Sequence, residues 1–312
     1  MTARCKIITD HCCDLPQDIL DQWGVEALSF TFSEDDPNGV HGVDDAFQSV
    51  SAHQFYEAMR KGAAPHTSQP SQLDMEELFR RCIAEGVPTV YLCFSSGISG
   101  CYEGAMAVLG RLHEELGEDI PLYIVDLKLG CTPQGLLVAE AVRQRDRGLT
   151  AEEMVAWAEE ARYFVHTIFL VDNLDALRRG GRIPPAAASI GTKLDVKPLL
   201  AFDLDGKLAI KGVARGRKKA IKKLAEYWDK HHDPNSAVSM VAVGNADCER
   251  DLGTLESLIR KSNDSIVFLE TSIGPTIGCH VGPGMMSCCF WGADRRETAS
   301  ISDRIARSVR RS

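Results

Sequence analysis

Three loops carry hydroxyl or imidazole side chains next to segments that predict strands, where such side chains could bind an anion. Hydroxyls and a neutral imidazole donate hydrogen bonds without a fixed positive charge. A carboxylate placed among apolar groups needs such donors, because a buried charge without partners is very costly. The loops supply four candidate carboxylate-binding residues: Thr67 in P-H-T-S-Q-P-S, Ser95 and Ser96 in F-S-S-G-I-S-G, and His280 in G-C-H-V-G-P-G.

Two basic segments stand out in a chain whose formal net charge is −9. One is R-R-G-G-R-I, which contains Arg179 and Arg182. The other, R-G-R-K-K, begins at Arg215 and includes Arg217 and Lys218. Such a cluster could dock an anionic partner or offset phosphate charge during phosphoryl transfer. It could also be a solvated helix face, which is the usual role of a charge run.

Each polar candidate also has a purely structural interpretation. Ser and Thr near helix starts are most often N-caps, so Thr67 and Ser96 could be caps. A single histidine such as His280 is often packed in a core without any ligand. Asp10 and Asp14, which flank the first loop, could likewise be structural caps.

No motif for catalysis, nucleotide binding or metal binding is complete. His113-Glu114-Glu115 lacks the second histidine of a metalloprotease motif, because residue 117 is Gly. The chain contains neither G-x-G-x-x-G nor a Walker A sequence, and the F-S-S-G-I-S-G loop lacks nucleophile-elbow spacing. None of the 11 cysteines forms a C-x-x-C pair, so we expect reduced, buried thiols. We therefore predict no catalytic residue, no metal and no cofactor.

The first half of the chain alternates strand and helix patterns, and these elements must position the first two loops. Such alternation predicts a doubly wound, mostly parallel sheet. Sheets of this kind bind ligands at the carboxyl ends of their strands. The predicted strands are Cys5–Thr9, Val25–Phe32, Thr89–Phe94 and Leu122–Asp126.

The pattern changes in the second half. Val196–Phe202 and Lys207–Val213 flank Asp205-Gly206, a strong hairpin signal. A hairpin among further strands and helices predicts a second α/β domain with a mixed sheet. We expect an N-terminal α/β domain over 1–163, a C-terminal α/β domain over 164–292 and a basic tail over 293–312.

Composition limits the classes of function. The 312 residues, 44% hydrophobic and 25% charged, fit two globular domains of about 150 residues each. The acidic balance argues against a broad nucleic-acid surface. No segment is apolar enough for a signal peptide or a membrane span, so we expect a cytoplasmic protein.

Seven motifs occur in an order that resembles the DegV family over about residues 5–292. The resemblance implies a long-chain fatty acid in a closed tunnel between the domains. It also implies that a separate fatty acid kinase subunit phosphorylates the bound carboxylate to acyl phosphate, with transient membrane contact during lipid exchange. The motifs are T-D with D-L-P, T-S-Q-P-S, F-S-S-G-I-S-G, R-G-G-R-I, K-P-L-L before D-G, R-G-R-K-K-A and I-G-C-H-V-G-P-G.

The resemblance also assigns roles to the basic residues. An arginine of the R-G-G-R loop is expected to support the head group, with Arg179 preferred and Arg182 close behind. Arg215 in particular, with Arg217 and Lys218, is expected to face the kinase subunit.

Three departures from the family pattern are expected to line or adjoin the pocket and so to affect chain-length preference. His11 replaces a small hydroxyl residue, Cys279 replaces Ser or Ala, and V-D-L-K-L-G-C-T lacks the serine that usually follows Asp126. The alternative function is a Ser- or Cys-dependent acyl hydrolase or transferase that uses residues 95–101 on a lipid substrate. The sequence disfavours this alternative, because no base lies beside a nucleophile in a known motif.

Overall fold

The computed structural model describes residues 4–36, 39–183, 195–233 and 240–297. Its strands and helices form two large sheets, one small sheet and the helices that cover them. In chain order the elements are β1 (Lys6–Asp10), a 3₁₀ turn (His11–Cys13), α1 (Gln17–Trp23), β2 (Glu26–Leu28), β3 (Thr31–Ser33), β4 (His41–Val43), α2 (Ala52–Arg60), β5 (His66–Ser68), α3 (Gln72–Glu85), β6 (Thr89–Cys93), α4 (Cys101–Leu116), β7 (Leu122–Asp126), α5 (Thr132–Asp146), α6 (Ala151–Ala161), β8 (Val165–Leu170), α7 (Asp175–Arg179), β9 (Val196–Phe202), β10 (Leu208–Arg215), α8 (Arg217–His231), β11 (Met240–Asn245), α9 (Glu249–Arg260), β12 (Val267–Ser272), α10 (Pro275–Val281) and β13 (Met286–Trp291).

The first large sheet is parallel, as predicted. Its order is β2-β1-β6-β7, and Ile8 in β1 lies opposite both Glu26 in β2 and Tyr91 in β6. From β1 the chain adds β2 on one side of the sheet, and it then crosses to the other side to add β6 and β7. The direction of winding therefore reverses between β1 and β6. Ligands of open α/β sheets bind at the carboxyl edge of such a reversal. Here that edge carries Asp10 and Phe94.

The second large sheet is mixed, which also confirms the prediction. Its order is β10-β9-β8-β13-β11-β12; only β11 and β12 run parallel, and the other neighbours are antiparallel. The D-G hairpin joins β9 to β10, with Gly206 at φ +77°. This turn meets the first half of the chain, because a Cβ on Gly97 would lie 2.5 Å from the Gly206 carbonyl.

The prediction of one long strand over Val25–Phe32 is wrong. The segment splits into β2, in the parallel sheet, and β3, in a separate three-stranded antiparallel sheet of order β4-β3-β5. Between them the Phe30 carbonyl accepts a hydrogen bond from Asp44 N at 2.8 Å, which diverts the chain from the first sheet. The small sheet determines the position of Thr67, because Thr67 is the central residue of β5.

Local signals account well for the helices. Ser71 and Asp74 form a capping box at the start of α3, and Thr150 and Glu153 form one at the start of α6. Helix α5 is buried on nearly every side, because it packs against both α6 and the face of the mixed sheet at β8, β11 and β13. It therefore joins the two halves of the core.

Several observations bear on the expectations about membrane spans, cysteines, the domain boundary and the tail. None of the described helices is long and apolar enough to cross a membrane. All eleven cysteines are free thiols, and ten of them are buried. The boundary near residue 163 stays a prediction. Of the expected tail over 293–312, residues 298–312 lie outside the described part, while Arg295 is buried and donates to the carbonyls of Phe202 and Arg162.

Candidate functional site

A cavity lies between the two large sheets, and the empty space in it, counted together with its open mouth, is about 630 Å³. Both halves of the chain contribute to its lining, which is mostly apolar and includes four phenylalanines. The lining residues are Phe30, Thr67, Phe94, Ile98, Ser99, Cys131, Pro133, Thr167, Phe169, Leu177, Arg182, Phe202, Leu208, Thr276, Ile277, His280, Val281, Met285 and Ser287.

Two of the predicted head-group residues meet in this cavity. Oγ1 of Thr67 lies 2.8 Å from Nε2 of His280, so the hydroxyl in β5 and the imidazole in α10 form a hydrogen bond. Burial, with the nearby positive charge of Arg182, lowers the pKa of His280 to about 4, so the ring is neutral at pH 7. Its other nitrogen, Nδ1, is buried and has no hydrogen-bond partner among the described residues.

Two buried carboxyls fix the helix that carries His280. Oδ1 of Asp14 accepts from Gly274 N at 2.8 Å, and Oδ2 of Asp44 accepts from Thr276 N at 3.0 Å. Burial raises the pKa of both carboxyls. Together they hold the first turn of α10, and this positions His280 in its last turn. Asp14 thus acts as a structural cap, but the helix that it caps is α10, whose start lies 260 residues further along the chain.

The R-G-G-R loop closes directly over the imidazole. A Cβ on Gly180 would overlap Nδ1 of His280, so only glycine allows this approach. The half-buried guanidinium of Arg182 lines the cavity and donates from Nε to the Ile98 carbonyl at 3.0 Å and from Nη1 to the Gly180 carbonyl at 2.5 Å. Burial lowers the pKa of Arg182, and no carboxylate among the described residues pairs with it.

The structure places the two arginines of the R-G-G-R loop differently. Arg179, the preferred residue, ends α7 with an exposed side chain and does not line the cavity. Arg182 does line it. The loop turns between them at Gly181, whose φ is +69°, and this directs the two side chains to different surroundings.

The structure does not bring Ser95 and Ser96 to the Thr67–His280 pair. Oγ of Ser95 donates to the Gly206 carbonyl at 2.9 Å and so joins its loop to the hairpin turn. Oγ of Ser96 donates to Oδ2 of Asp126 at 2.5 Å and accepts from Nζ of Lys128 at 2.6 Å. Neither hydroxyl lines the cavity, whereas Ser99 of the same loop does.

The carboxylate of Asp10 holds the start of the F-S-S-G-I-S-G loop. It accepts from Phe94 N at 2.9 Å, from the Tyr91 hydroxyl at 3.1 Å and from Nε2 of Gln134 at 3.1 Å. Burial raises its pKa to about 6. Cys93 and Cys101 place thiols within 4.8 Å of it, a grouping that could hold a metal ion only in competition with these three donors. The geometry therefore favours a structural role for Asp10.

Within the described part of the chain, the basic cluster divides into exposed side chains without an ion pair and one that is paired. Arg215, at the end of β10, and Lys218, in the first turn of α8, are exposed. Arg217 is instead half-buried and forms ion pairs with Asp172, at 3.1 Å, and with Asp251. Only the exposed residues can meet a partner without breaking existing ion pairs.

Sequence reasoning missed several polar residues of the cavity wall. Thr167 on β8, Ser287 on β13 and Cys131 before α5 all line the cavity. The departures at His11 and Cys279 do not line it, although both side chains are buried. Strand alternation in the mixed sheet could have placed Thr167 on the inward face, but nothing in the sequence indicates which face is inward.

Comparisons with known proteins agree with this architecture. A model described as an uncharacterised protein of the DegV family matches residues 4–292. The chain is 33% identical over 287 residues to a DegV domain-containing protein of Clostridium perfringens, covering 92% of this chain and 97% of that protein.

Two solved structures resemble the fold with a TM-score of 0.78. A DegV lipid-binding protein from Thermotoga maritima is 27% identical, with coverage of 94% of this chain and 99% of that one. A stearic acid-binding protein from Eubacterium ventriosum is 26% identical, with coverage of 95% and 100%. The similarity therefore extends over nearly the whole chain and not over single motifs.

Proposed function

The chain belongs to the DegV family, and from this we propose that it binds one long-chain fatty acid in the cavity between its two large sheets. We further propose that it presents the carboxylate to a separate kinase subunit, which converts it to acyl phosphate. Solved structures of similar proteins described as lipid-binding and stearic acid-binding support the first part. The kinase partner, the cytoplasmic location and the transient membrane contact stay predictions.

The head group of the acid belongs at Arg182, Thr67 and His280. The observation that carries this assignment is Arg182, a half-buried cation on an apolar cavity with no carboxylate partner among the described residues. A bound carboxylate supplies the missing negative charge. The hydrogen-bonded pair of Thr67 and His280 lies at the same end and adds neutral hydrogen-bonding groups. Charge-assisted hydrogen bonds of this kind are about twice as strong as neutral ones.

The acyl chain belongs along the apolar wall. Phe30, Phe94, Phe169 and Phe202 line the cavity, with the rings of Phe30 and Phe94 packed edge to face at 6.0 Å. Burial of about 14 methylenes contributes roughly 11 kcal/mol before the cost of association, at about 0.8 kcal/mol each. The chain thus supplies most of the affinity, and the head group supplies orientation.

Ser95 and Ser96 have a different proposed role. Their hydroxyls hold residues 94–99 against the Gly206 turn and the Asp126–Lys128 pair. Direct contact of either serine with the carboxylate stays a prediction, and it requires the hydroxyl to leave its present partner.

The hydrolase alternative lacks an activated nucleophile. Burial opposes ionisation of Asp126, but hydrogen bonds from Lys128 and Ser96 outweigh it and lower the pKa of Asp126, so this carboxylate is a weak base for the Ser96 hydroxyl. Cys131 lines the cavity, but burial and the neighbouring Asp14 raise its pKa well above the usual range. A buried thiol of this kind is a poor nucleophile.

Mass spectrometry of the recombinant protein tests this function. We expect one fatty acid per chain under native conditions and the unmodified mass after denaturation. A covalent acyl adduct would support the hydrolase or transferase instead. Protein that carries no lipid, and that takes none up from added long-chain acid, would contradict the proposal.

A further inference from the structure

The apolar lining of the cavity reaches the protein surface at one place within the described part of the chain. Ile98 and Leu208 are half-buried, whereas every other apolar residue of the lining is buried. The remaining half-buried lining residues are polar: Thr67, Ser99, Arg182 and His280. A path for an acyl chain needs apolar side chains, because hydrocarbon gains free energy when it leaves water. Ile98 and Leu208 therefore mark the point where such a path crosses the wall.

The two segments that carry Ile98 and Leu208 meet through their backbones. A Cβ on Gly97 would lie 2.5 Å from both the carbonyl carbon and the carbonyl oxygen of Gly206, so no side chain fits between the two glycines. One hydrogen bond joins residues 94–99 to residues 202–208 among the described residues, and Oγ of Ser95 donates it to the Gly206 carbonyl at 2.9 Å. This contact, the glycine seam, is thus closed by van der Waals packing and a single hydrogen bond.

The hairpin side of the glycine seam is weakly attached to its sheet. In the described sheet, β9 pairs with β8 at just two positions, Leu199 and Leu200. Beyond Leu200 the hairpin pairs with no strand other than its own return, β10, which is the edge strand. The register of β10 shifts between Ile210 and Gly212, and such a shift bends a strand locally. The hairpin end can therefore tilt about this point without breaking the rest of the sheet.

The loop side of the glycine seam is fixed. Three side chains bind the backbone of the F-S-S-G-I-S-G loop: Asp10 at residue 94, Asp126 at residue 96 and Arg182 at residue 98. These anchors come from three separate parts of the chain. The hairpin is therefore the part that moves when the glycine seam opens.

The wall contributed by the small sheet and α2 is attached more firmly. The Tyr56 hydroxyl donates to the Ile273 carbonyl at 2.5 Å, and Arg60 forms an ion pair with Asp247. Asp44 also binds the start of α10 from this side. Opening of this wall would break several polar contacts across the two halves of the chain. Opening of the glycine seam breaks one, so it costs less free energy.

We propose that the glycine seam is the gate of the cavity, an inference that rests on the proposed binding of a fatty acid. The hairpin end, residues 203–210, tilts away from residues 94–99, and the acyl chain passes between Ile98 and Leu208. The carboxylate then stays beside Arg182, whose Nε binds the Ile98 carbonyl and so lies next to the gate. Opening of the gate sets the rates of uptake and release, whereas the closed cavity sets the affinity.

Gly97→Ala tests this proposal, because its methyl group would meet the Gly206 carbonyl and strain the closed seam. The strain acts on the closed protein with and without ligand. The rate constants of uptake and release should therefore both rise by about tenfold to a hundredfold, and Kd should not change. Ser95→Ala removes the hydrogen bond across the seam and should raise both rate constants by about twofold to tenfold.

Stopped-flow fluorescence with cis-parinaric acid, a fluorescent long-chain acid, measures uptake, and displacement by excess oleic acid measures release. The matched control is Gly110→Ala in α4, where a Cβ meets no atom within 4 Å. If Gly97→Ala does not fold, Ser95→Ala carries the test, because it adds no atom to the seam.

Two results would overturn the gate while leaving the proposed function intact. One is a pair of rate constants equal to those of Gly110→Ala. The other is a faster release alone, with a correspondingly weaker Kd, because lost contacts to the bound acid produce that pattern. Failure of the unaltered protein to bind any long-chain acid would instead overturn the proposed function, and the gate with it.

Discussion

Thr67 and His280 are 213 residues apart in the chain, yet Oγ1 of Thr67 lies 2.8 Å from Nε2 of His280 at one end of an apolar cavity. The small sheet β4-β3-β5 supplies the hydroxyl, and α10 supplies the imidazole. Asp14 and Asp44 hold α10 from its other end. The site is therefore built by long-range packing, and the predictions below test its separate parts.

Arg182→Gln should weaken binding of a long-chain acid by about tenfold to a hundredfold, the equivalent of one hydrogen bond to a charged group. The same variant should bind the corresponding long-chain alcohol as well as the unaltered protein does, because the alcohol has no charge to lose. The matched control is Arg179→Gln, whose exposed side chain does not line the cavity. Titration calorimetry with both ligands measures the difference. Equal loss of acid binding in both variants would show that the effect is not local to the cavity.

Gly180→Ala should also impair acid binding, although the change adds only one methyl group. That methyl would overlap Nδ1 of His280, so the ring must move and its hydrogen bond to Thr67 must break. Gly253→Ala is a suitable control, since a Cβ there meets no atom within 4 Å. Competition with a fluorescent fatty acid measures both affinities. Unchanged binding by Gly180→Ala would mean that the loop does not lie against His280.

Whether a feature could be predicted from the sequence depends on how far apart in the chain its interacting residues lie. The D-G hairpin and the capping box of Ser71 and Asp74 are local, and both could be predicted from adjacent residues. The three-residue strands of the small sheet could not, because their pairing depends on contacts such as that between the Phe30 carbonyl and Asp44. Short strands carry too little periodic pattern to identify.

The site residues illustrate the same limit. The sequence indicates that Ser96 lies in a polar loop, but its partners Asp126 and Lys128 are 30 and 32 residues away. The sequence R-G-G-R also does not indicate which arginine faces the cavity. The loop turns at Gly181 through a positive φ, and that angle is a property of the folded loop.

The stability of the protein should depend on His166 as pH falls. Burial lowers the pKa of His166 to about 4 from an ordinary value of 6.5, and Nε2 lies 2.7 Å from the Ala293 carbonyl. Between these two values the unfolded state binds the proton and the folded state does not, so the contribution of His166 is lost as pH falls from 6.5 towards 4. From pH 7.5 to pH 5 the loss is about 2 kcal/mol.

Urea unfolding of the protein and of His166→Gln at both pH values isolates this effect. Other buried groups, such as Asp10, titrate equally in both proteins and cancel in the difference. We expect the free energy of unfolding to fall more with acidification in the unaltered protein than in the variant. A constant difference between the two would mean that His166 titrates normally in the folded state.

Arg215→Ala should separate partner function from lipid binding. Arg215 is exposed and does not line the cavity, so the variant should keep its fatty acid and its melting temperature. It should nevertheless form less acyl phosphate with a kinase subunit, and the residual activity should respond less to added salt. Lys230→Ala, at the far end of α8, is the control. Equal turnover by both variants at low salt would show that the basic cluster is only a solvated helix face.

The central claim concerns the carboxylate end of a bound acid. A crystal structure of the protein with its co-purified or added long-chain acid tests this most directly. The account predicts an acyl chain along Phe94 and Phe169, with carboxylate oxygens within about 3.2 Å of Arg182, Thr67 and His280. A carboxylate bound instead to Ser96 and Lys128, or a cavity that stays empty in saturating acid, would contradict it.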